Sequence, residues 1–189
     1  MSRPLVFVGE APGRYGNQEE YARHQPLYPY PQHSAGWRLW NMTGLTRMEY
    51  LRIRRINLCP ATEFPWNRRP TAREAREAAD AIISSRRFED CNLVLLGRVV
   101  QAAFCRYNGP ADLPQMEWLR LMLPWGHPLG RTYTGIMVAL VPHPSGRSRW
   151  WNDPENRRAG ETWLRSTVAA HGHEIAYPPS WEREERVSA

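Results

Sequence analysis

Two short apolar runs, one near each end of the chain, most constrain what it can fold into. Leu5 to Val8 leads straight into Gly9-Glu10-Ala11-Pro12-Gly13, and Ile136 to Leu140 leads into Val141-Pro142-His143-Pro144-Ser145-Gly146. Both runs are continuous rather than alternating, the pattern of strands buried on both faces of a parallel sheet. Ile53 to Leu58 and Leu93 to Leu96 read the same way. Helical patterns separate them. Ala35 to Met42 follows a capping Ser34, and Thr71-Ala72-Arg73-Glu74 has capping-box spacing ahead of Ala75, Ala78, Ala79, Ile82 and Ile83. Arg98 to Phe104 and Glu161 to Ala170 complete the set. Strands alternating with helices predict an α/β sandwich with right-handed crossovers. Ligands of such sheets bind outside the carboxyl ends of the strands. Two Pro- and Gly-rich loops from opposite ends of the sequence therefore predict one composite site.

The chain of 189 residues suits one domain with a full core. We place that domain at residues 1–177, with a polar tail over 178–189. Hydrophobic residues make up 42% and charged residues 23%, which excludes a disordered chain. No apolar run is long enough for a bilayer, so no membrane partner is expected. Met1-Ser2-Arg3-Pro4 enters the first strand at once, which predicts no signal peptide. Cys59, Cys91 and Cys105 are odd in number and widely spaced, fitting a reduced cytoplasmic protein, expected as a monomer. The net charge is +6, and all 25 basic residues are arginine. Arginine's planar fork suits phosphates, so a polyanionic partner fits, whereas covalent lysine chemistry is excluded. Two irregular stretches, Arg14 to His33 and Tyr107 to Thr134, read as functional lids or rims.

The ionisable and amide groups at the strand ends are the candidates for chemistry. Gly9 and Gly13 let the backbone around Glu10 approach a ligand closely, though the spacing also suits a plain turn. Asn57, at the end of the second strand, presents a donor beside an acceptor, a pair that can read the amide-like edge of a pyrimidine. The alternative is a buried Asn satisfied by backbone. His143 is held between Pro142 and Pro144 and can donate to a developing oxyanion. Ser145 and Gly146 offer a hydroxyl and free amides to phosphate, Arg147 and Arg149 add charge, and Trp150-Trp151 add aromatic surface. Only His171 and His173 have metal-ligand spacing, and they fall at a helix end, so no metal and no cofactor are expected. A Walker-type phosphate loop is absent.

In this order and placement the segments resemble the uracil-DNA glycosylase superfamily, nearest its family 4 and 5 branches. Gly9 to Gly13 is similar to the first motif of that group, and Ser34-Ala35-Gly36-Trp37-Arg38-Leu39 to the helix start that follows it. Ile56-Asn57-Leu58-Cys59-Pro60 and Asn67-Arg68-Arg69-Pro70-Thr71 resemble the strand with the base-reading Asn and the lead-in to the next helix. Leu95-Leu96-Gly97-Arg98 resembles the third-strand motif, and His143-Pro144-Ser145-Gly146 the second catalytic motif, with an ending closer to the mismatch-specific branch. The similarity spans Leu5 to about Trp151. It implies a three-layer α/β/α sandwich around a central four-stranded parallel sheet. It also implies a DNA partner and an enzyme that flips a nucleotide and cuts its N-glycosidic bond. Glu10, Asn57 and His143 would be catalytic, with Asn57, Tyr28, Tyr30 and Ala11 against the base. Gly13, Arg14, Ser145, Gly146, Arg147 and Arg149 would hold DNA.

Three departures from the family pattern sharpen the expectation. Many members carry Asp or Asn at the position of Ala11 to place the attacking water, so that task falls to Glu10, or to Glu19 or Glu20. Family 4 carries an iron-sulfur cluster on four cysteines, whereas this chain has three and lacks the N-terminal pair, which predicts no cluster. The segment from Arg14 to His33 is longer than its family 4 counterpart. It replaces a Pro-Phe pair with Pro26-Leu27-Tyr28 or Pro29-Tyr30, and adds His24, Gln25, Gln32 and His33. These polar groups favour a hydroxymethylated or glucosylated cytosine of phage DNA, a class on which the superfamily has been turned to antiviral defence. The alternatives are uracil repair, a non-catalytic DNA-binding module and a nucleoside hydrolase. Without lysine, a Schiff-base lyase step is excluded, so the expected product is an abasic site.

Overall fold

The structure, a computed structural model, describes residues 3–11, 25–60, 68–85, 87–105, 115–122, 133–145 and 148–179. Its frame is a sheet of β1 (Leu5–Gly9), β2 (Arg54–Asn57), β3 (Asn92–Leu96), β4 (Trp118–Met122) and β5 (Tyr133–Val141). The strands lie in the order β2-β1-β3-β5-β4. β2, β1, β3 and β5 run parallel, and β4 pairs antiparallel with β5. The sheet thus has five strands rather than the four of the sequence expectation. The extra strand falls in the stretch read as irregular. It is an edge strand with Arg120 exposed and Leu121 buried, and its Pro- and Gly-rich surroundings mask that alternation.

Helices cover both faces of the sheet. Val6, Val8, Leu93, Leu95, Val138 and Leu140 point to one face, where α3 (Ala72–Ser84) and α4 (Arg98–Cys105) pack through Ala75, Ala79, Ile83, Val100 and Phe104. Leu5, Phe7, Val94, Leu96 and Val141 point to the other. There they meet Leu39 of α1 (Ala35–Thr43), Tyr50 of α2 (Arg47–Arg52), and Leu164 and Val168 of α5 (Pro154–Ala170). Alternate residues of β1, β3 and β5 thus feed two cores, which is why these strands read as unbroken apolar runs. β2, expected from Ile53 to Leu58 to be buried on both faces, is instead an edge strand with Arg54 exposed and Arg55 and Ile56 half-buried.

The local signals act as their chemistry dictates. Thr71 accepts from the Glu74 amide while the Glu74 carboxylate accepts from the Thr71 amide, closing the capping box. Thr46 caps α2 through the Glu49 amide, a signal of the same Thr-x-x-Glu spacing that the sequence reading passed over. The last helix begins at Pro154 rather than Glu161. Asp153 accepts from the Glu155 and Asn156 amides and Pro154 needs no donor in the first turn, so the chain enters the helix earlier than its apolar stripe indicates. No helix among the described residues is long and apolar enough to cross a membrane.

The start of α1 packs directly on the segment before it. A Cβ built on Gly36 would lie 2.2 Å from the Tyr28 carbonyl oxygen and 2.4 Å from the Leu27 carbonyl carbon. The obstacle is backbone, so it cannot rotate away. Gly36→Ala is expected to cost about 1–3 kcal/mol of stability through this overpacking, read as a lowered midpoint in urea unfolding.

Candidate active site

All four parallel strands end at one cleft of about 1020 Å³. The sheet order places β1 between β2 and β3, so successive connections leave β1 in opposite directions. A switch point of this kind opens a crevice at the carboxyl ends of the strands. Glu10 and Ala11 follow β1, Asn57 ends β2, Gly97 follows β3, and Pro142, His143 and Ser145 follow β5, all on the cleft wall. Glu10, Asn57 and His143, about 130 residues apart along the chain at the extremes, therefore share one cavity.

The β1 and β2 loops are locked together beyond the strands. The Leu58 amide donates to the Gly9 carbonyl at 2.8 Å and the Cys59 amide to the Glu10 carbonyl at 3.0 Å. Gly9 and Asn57 are register partners. A Cβ on Gly9 would sit 3.2 Å from the Asn57 Oδ1, so the glycine leaves the amide its room. Asn57 is only 9% exposed. No described residue hydrogen-bonds its side chain, so the alternative of a backbone-satisfied Asn is not realised. The residue is mostly buried while its amide opens into the cavity, which leaves the donor and acceptor free for a ligand. Glu10 is the only acidic side chain among the described residues that line the cleft.

His143 is held from three sides. Its carbonyl accepts from the Trp151 Nε1 at 3.0 Å, and its Nδ1 accepts from the Ser145 amide at 3.1 Å. The third restraint is Gly97, at φ +90°, where a Cβ would come within 2.9 Å of the His143 Cβ. Burial pushes the His143 pKa below the ordinary imidazole value, and the nearby Arg69 guanidinium lowers it further. The ring is therefore neutral near pH 7. With Nδ1 accepting from an amide, the proton resides on Nε2. The side chain is thus a neutral donor whose Nε2–H is not committed to Ser145. Behind it, Gln101 of α4 donates to the Val141 carbonyl at 3.0 Å and Gly97 donates to the same oxygen at 2.9 Å, tying the ends of β3 and β5.

The far wall is the Leu27–Tyr28 segment. Tyr50, fully buried, donates its hydroxyl to the Leu27 carbonyl at 2.9 Å. Burial drives the Tyr50 pKa far up, so it remains a donor at any physiological pH. Leu27 itself has φ 49°, in the left-handed region. Arg47 donates to the Tyr28 phenol oxygen at 2.6 Å. The wall is thus fixed by groups outside the cleft. His33 lies edge-on to Trp37 at 5.0 Å rather than on the cleft wall.

The sequence-derived candidates separate accordingly. Glu10, Ala11, Tyr28, Asn57, His143, Ser145 and Arg149 line the cleft. Tyr30 does not: it is 66% exposed and stands off the wall, which leaves Tyr28 as the aromatic of that segment beside the cavity. Gly13, Arg14, Glu19, Glu20, His24, Gly146 and Arg147 lie outside the described residues. His171 and His173 hold structural partners instead, Asn92 and the Thr167 carbonyl for the first and Glu49 for the second. Sequence reasoning gave no role to Arg69, Arg98, Gln101 or Gln115, which also line the cleft. Gly97 and Arg98 were signalled by a glycine directly after a buried strand and by the third-strand motif, Arg69 by the lead-in motif to the next helix, and nothing in the sequence pointed to Gln101 or Gln115.

A family model described as the uracil DNA glycosylase superfamily matches residues 2–165, a span that contains every cleft residue named above. The chain matches no curated protein.

His143 is expected to titrate below 6.5 in the folded protein, measured by NMR of the ring protons, and Arg69→Gln to raise that value. The unfolded chain binds this proton at a higher pH than the native state does. Stability should therefore be undiminished above about pH 6.5 and decline as the pH falls below it.

Proposed function

Because the chain belongs to the uracil DNA glycosylase superfamily, whose members are DNA glycosylases, we propose that it is a monofunctional glycosylase. It takes an extruded pyrimidine into the cleft, hydrolyses its N-glycosidic bond and leaves an abasic site. One observation carries the reading. The Asn57 amide, which no described residue hydrogen-bonds, and the neutral His143 donor line the same cavity, in which Glu10 is the acid present among the described residues.

The chemistry follows from those groups. Asn57 pairs with the amide-like edge of the base through its side-by-side donor and acceptor. As the bond from the sugar C1′ to N1 breaks, its electron pair leaves with the base, and charge grows on the exocyclic oxygen at C2. The Nε2–H of His143 donates to that oxygen. A preorganised neutral donor strengthens its bond as the charge develops and does not hold the base as a bound ion pair afterwards. Water adds to the oxocarbenium carbon from the opposite side. Glu10 orients it and accepts its proton, which passes to solvent and is balanced by protonation of the released base. The Leu27–Tyr28 wall supplies the flat apolar face.

The cleft, which runs from Asn57 and His143 out to the rim at Arg69 and Arg149, leaves room for the larger of the candidate bases. About 1020 Å³ is the upper end of the range that holds drug-sized ligands, more than a bare pyrimidine ring needs. Gln115 adds an amide to the lining, whereas the Gln101 amide is held by the Leu95 and Val141 carbonyls. Both features suit a cytosine bearing a hydroxymethyl or glucosyl group, as in modified phage DNA. Uracil is the second reading, favoured by the Asn57 amide alone. The free Asn57 amide and the tautomer-fixed His143 in one cavity support an enzyme over a non-catalytic module.

Bases released from uracil-containing DNA and from hydroxymethylated and glucosylated phage DNA, identified by mass spectrometry, test the reading. Release of a modified cytosine is the expected result, release of uracil alone selects repair, and no release from any substrate removes the enzyme. His143→Ala should lower the single-turnover rate by about two to three orders of magnitude. Asn57→Ala should lower the rate and relax the choice of base together. Near-native turnover in the His143 variant would exclude the proposed mechanism.

A further inference from the structure

We infer that Arg69, Arg98 and Arg149 form a three-point clamp for the phosphates of the DNA backbone across the mouth of the cleft. The inference rests on the glycosylase reading and adds to it the groups that seat the strand.

The sequence has only arginine for its cations, so their roles can be sorted by what each one touches. Arg68 forms a forked pair with Glu74, one arm of it at 2.8 Å, inside the α3 capping box. Arg73 pairs with Glu77, Arg52 with Glu49 and Arg157 with Glu161. Arg47 is bound to Tyr28, while Arg54 and Arg55 lie over the Phe88 and Tyr50 rings at 4.4 and 5.1 Å. These side chains are committed to holding the fold.

Arg69, Arg98 and Arg149 are different. Each is exposed, each lines the cleft, and none has a hydrogen-bond or ion-pair partner among the described residues. They come from three separate elements: the lead-in to α3, the first residue of α4, and the first residue of the 3-10 helix at Arg149–Asn152. The fold thus gathers around one opening three cations that no hydrogen bond or ion pair ties to another described residue. Their mutual repulsion in the free protein is relieved by an external anion. Glu10, a single carboxylate deeper in the site, cannot neutralise three guanidinium groups.

Their number, and their origin on three separate elements, favour a phosphodiester chain as the anion. A planar guanidinium fork matches two phosphate oxygens, and three forks from three elements suit successive single charges along a chain better than one compact dianion. The three are assigned together to the phosphate of the extruded nucleotide and the phosphates that flank it. The hydroxyls of Ser145 and Ser148 stand on the same rim and can complete those contacts.

The test is the salt dependence of DNA binding by the full chain, followed by fluorescence anisotropy on a labelled short duplex with a central tetrahydrofuran abasic analogue. The slope of log affinity against log salt counts the phosphates neutralised, at about 0.9 per contact on duplex DNA. Arg69→Gln, Arg98→Gln and Arg149→Gln should each make the slope shallower by about that amount. The control is Arg87→Gln, which removes the same charge from an exposed side chain in the turn before β3, away from the cleft. It should leave the slope unchanged. Arg→Lys at the three positions should keep the slope and weaken affinity, because the charge remains and the fork is lost. Circular dichroism melting confirms that each variant is folded.

If the three cleft variants give the slope of Arg87→Gln, the clamp is wrong while glycosylase activity can still be scored by base release. Displacement of the duplex by thymidine monophosphate at equal phosphate concentration would assign the arginines to free nucleotides and overturn the clamp. If the unmodified protein binds no DNA at any salt concentration, the clamp and the glycosylase reading fall together.

Discussion

The structure depends on parallel pairing of β1 with two neighbours at once. Residues 5–9 of β1 are hydrogen-bonded to β2 on one side and to β3 on the other, and both faces of the strand are buried. Such a strand has no tolerance for a register slip, because one residue of shift would exchange the two apolar cores. Register in turn sets the site. It places Gly9 opposite Asn57, and through β3 and β5 it carries Gly97 and His143 to the same edge. A cavity with its groups on four strand ends is therefore as rigid as the sheet itself.

Rigidity of this kind determines what the histidine can do. An imidazole on a mobile loop samples both tautomers and both charge states near neutrality. Here one ring nitrogen accepts from the Ser145 amide, a backbone carbonyl is held by Trp151, and Gly97 closes the third side. Trp151 is itself held by a glycine, since its ring packs where a Cβ of Gly160 would otherwise come within 2.5 Å. The chain thus uses absent side chains at Gly9, Gly36, Gly97 and Gly160 to bring large groups into place. Burial and the Arg69 charge then make the neutral form of His143 the resting one.

Much of this was legible in the chain. β1, β3 and β5 appear as continuous apolar runs because each is covered on both faces, and the helix starts at Ser34 and Thr71 appear because their hydroxyls satisfy amides of the first turn. What escaped notice has equally physical causes. β4 is short, lies at an edge and exposes Arg120, so its apolar signal is weak. The helix at Arg47–Arg52 is too brief for periodicity, although its Thr46 and Glu49 signal was present. Tyr28 and Tyr30 look equivalent along the chain, and only the Leu27 turn and the Arg47 contact bring one to the cleft and leave the other in solvent.

Taken alone, the sequence determined the fold class, the strand ends that carry chemistry, and the three side chains expected there, because apolar continuity and turn chemistry are local properties. It also determined that every cation would be a fork rather than a point charge. Only the tertiary structure decided that those three side chains share a cavity, that the Asn57 amide opens into it with no hydrogen bond from a described residue, and which tautomer His143 adopts. It alone sorted the arginines into those that hold the fold and those that ring the cleft. Distances between segments far apart in the chain, and the burial that sets a proton affinity, arise only once the sheet has brought those segments together.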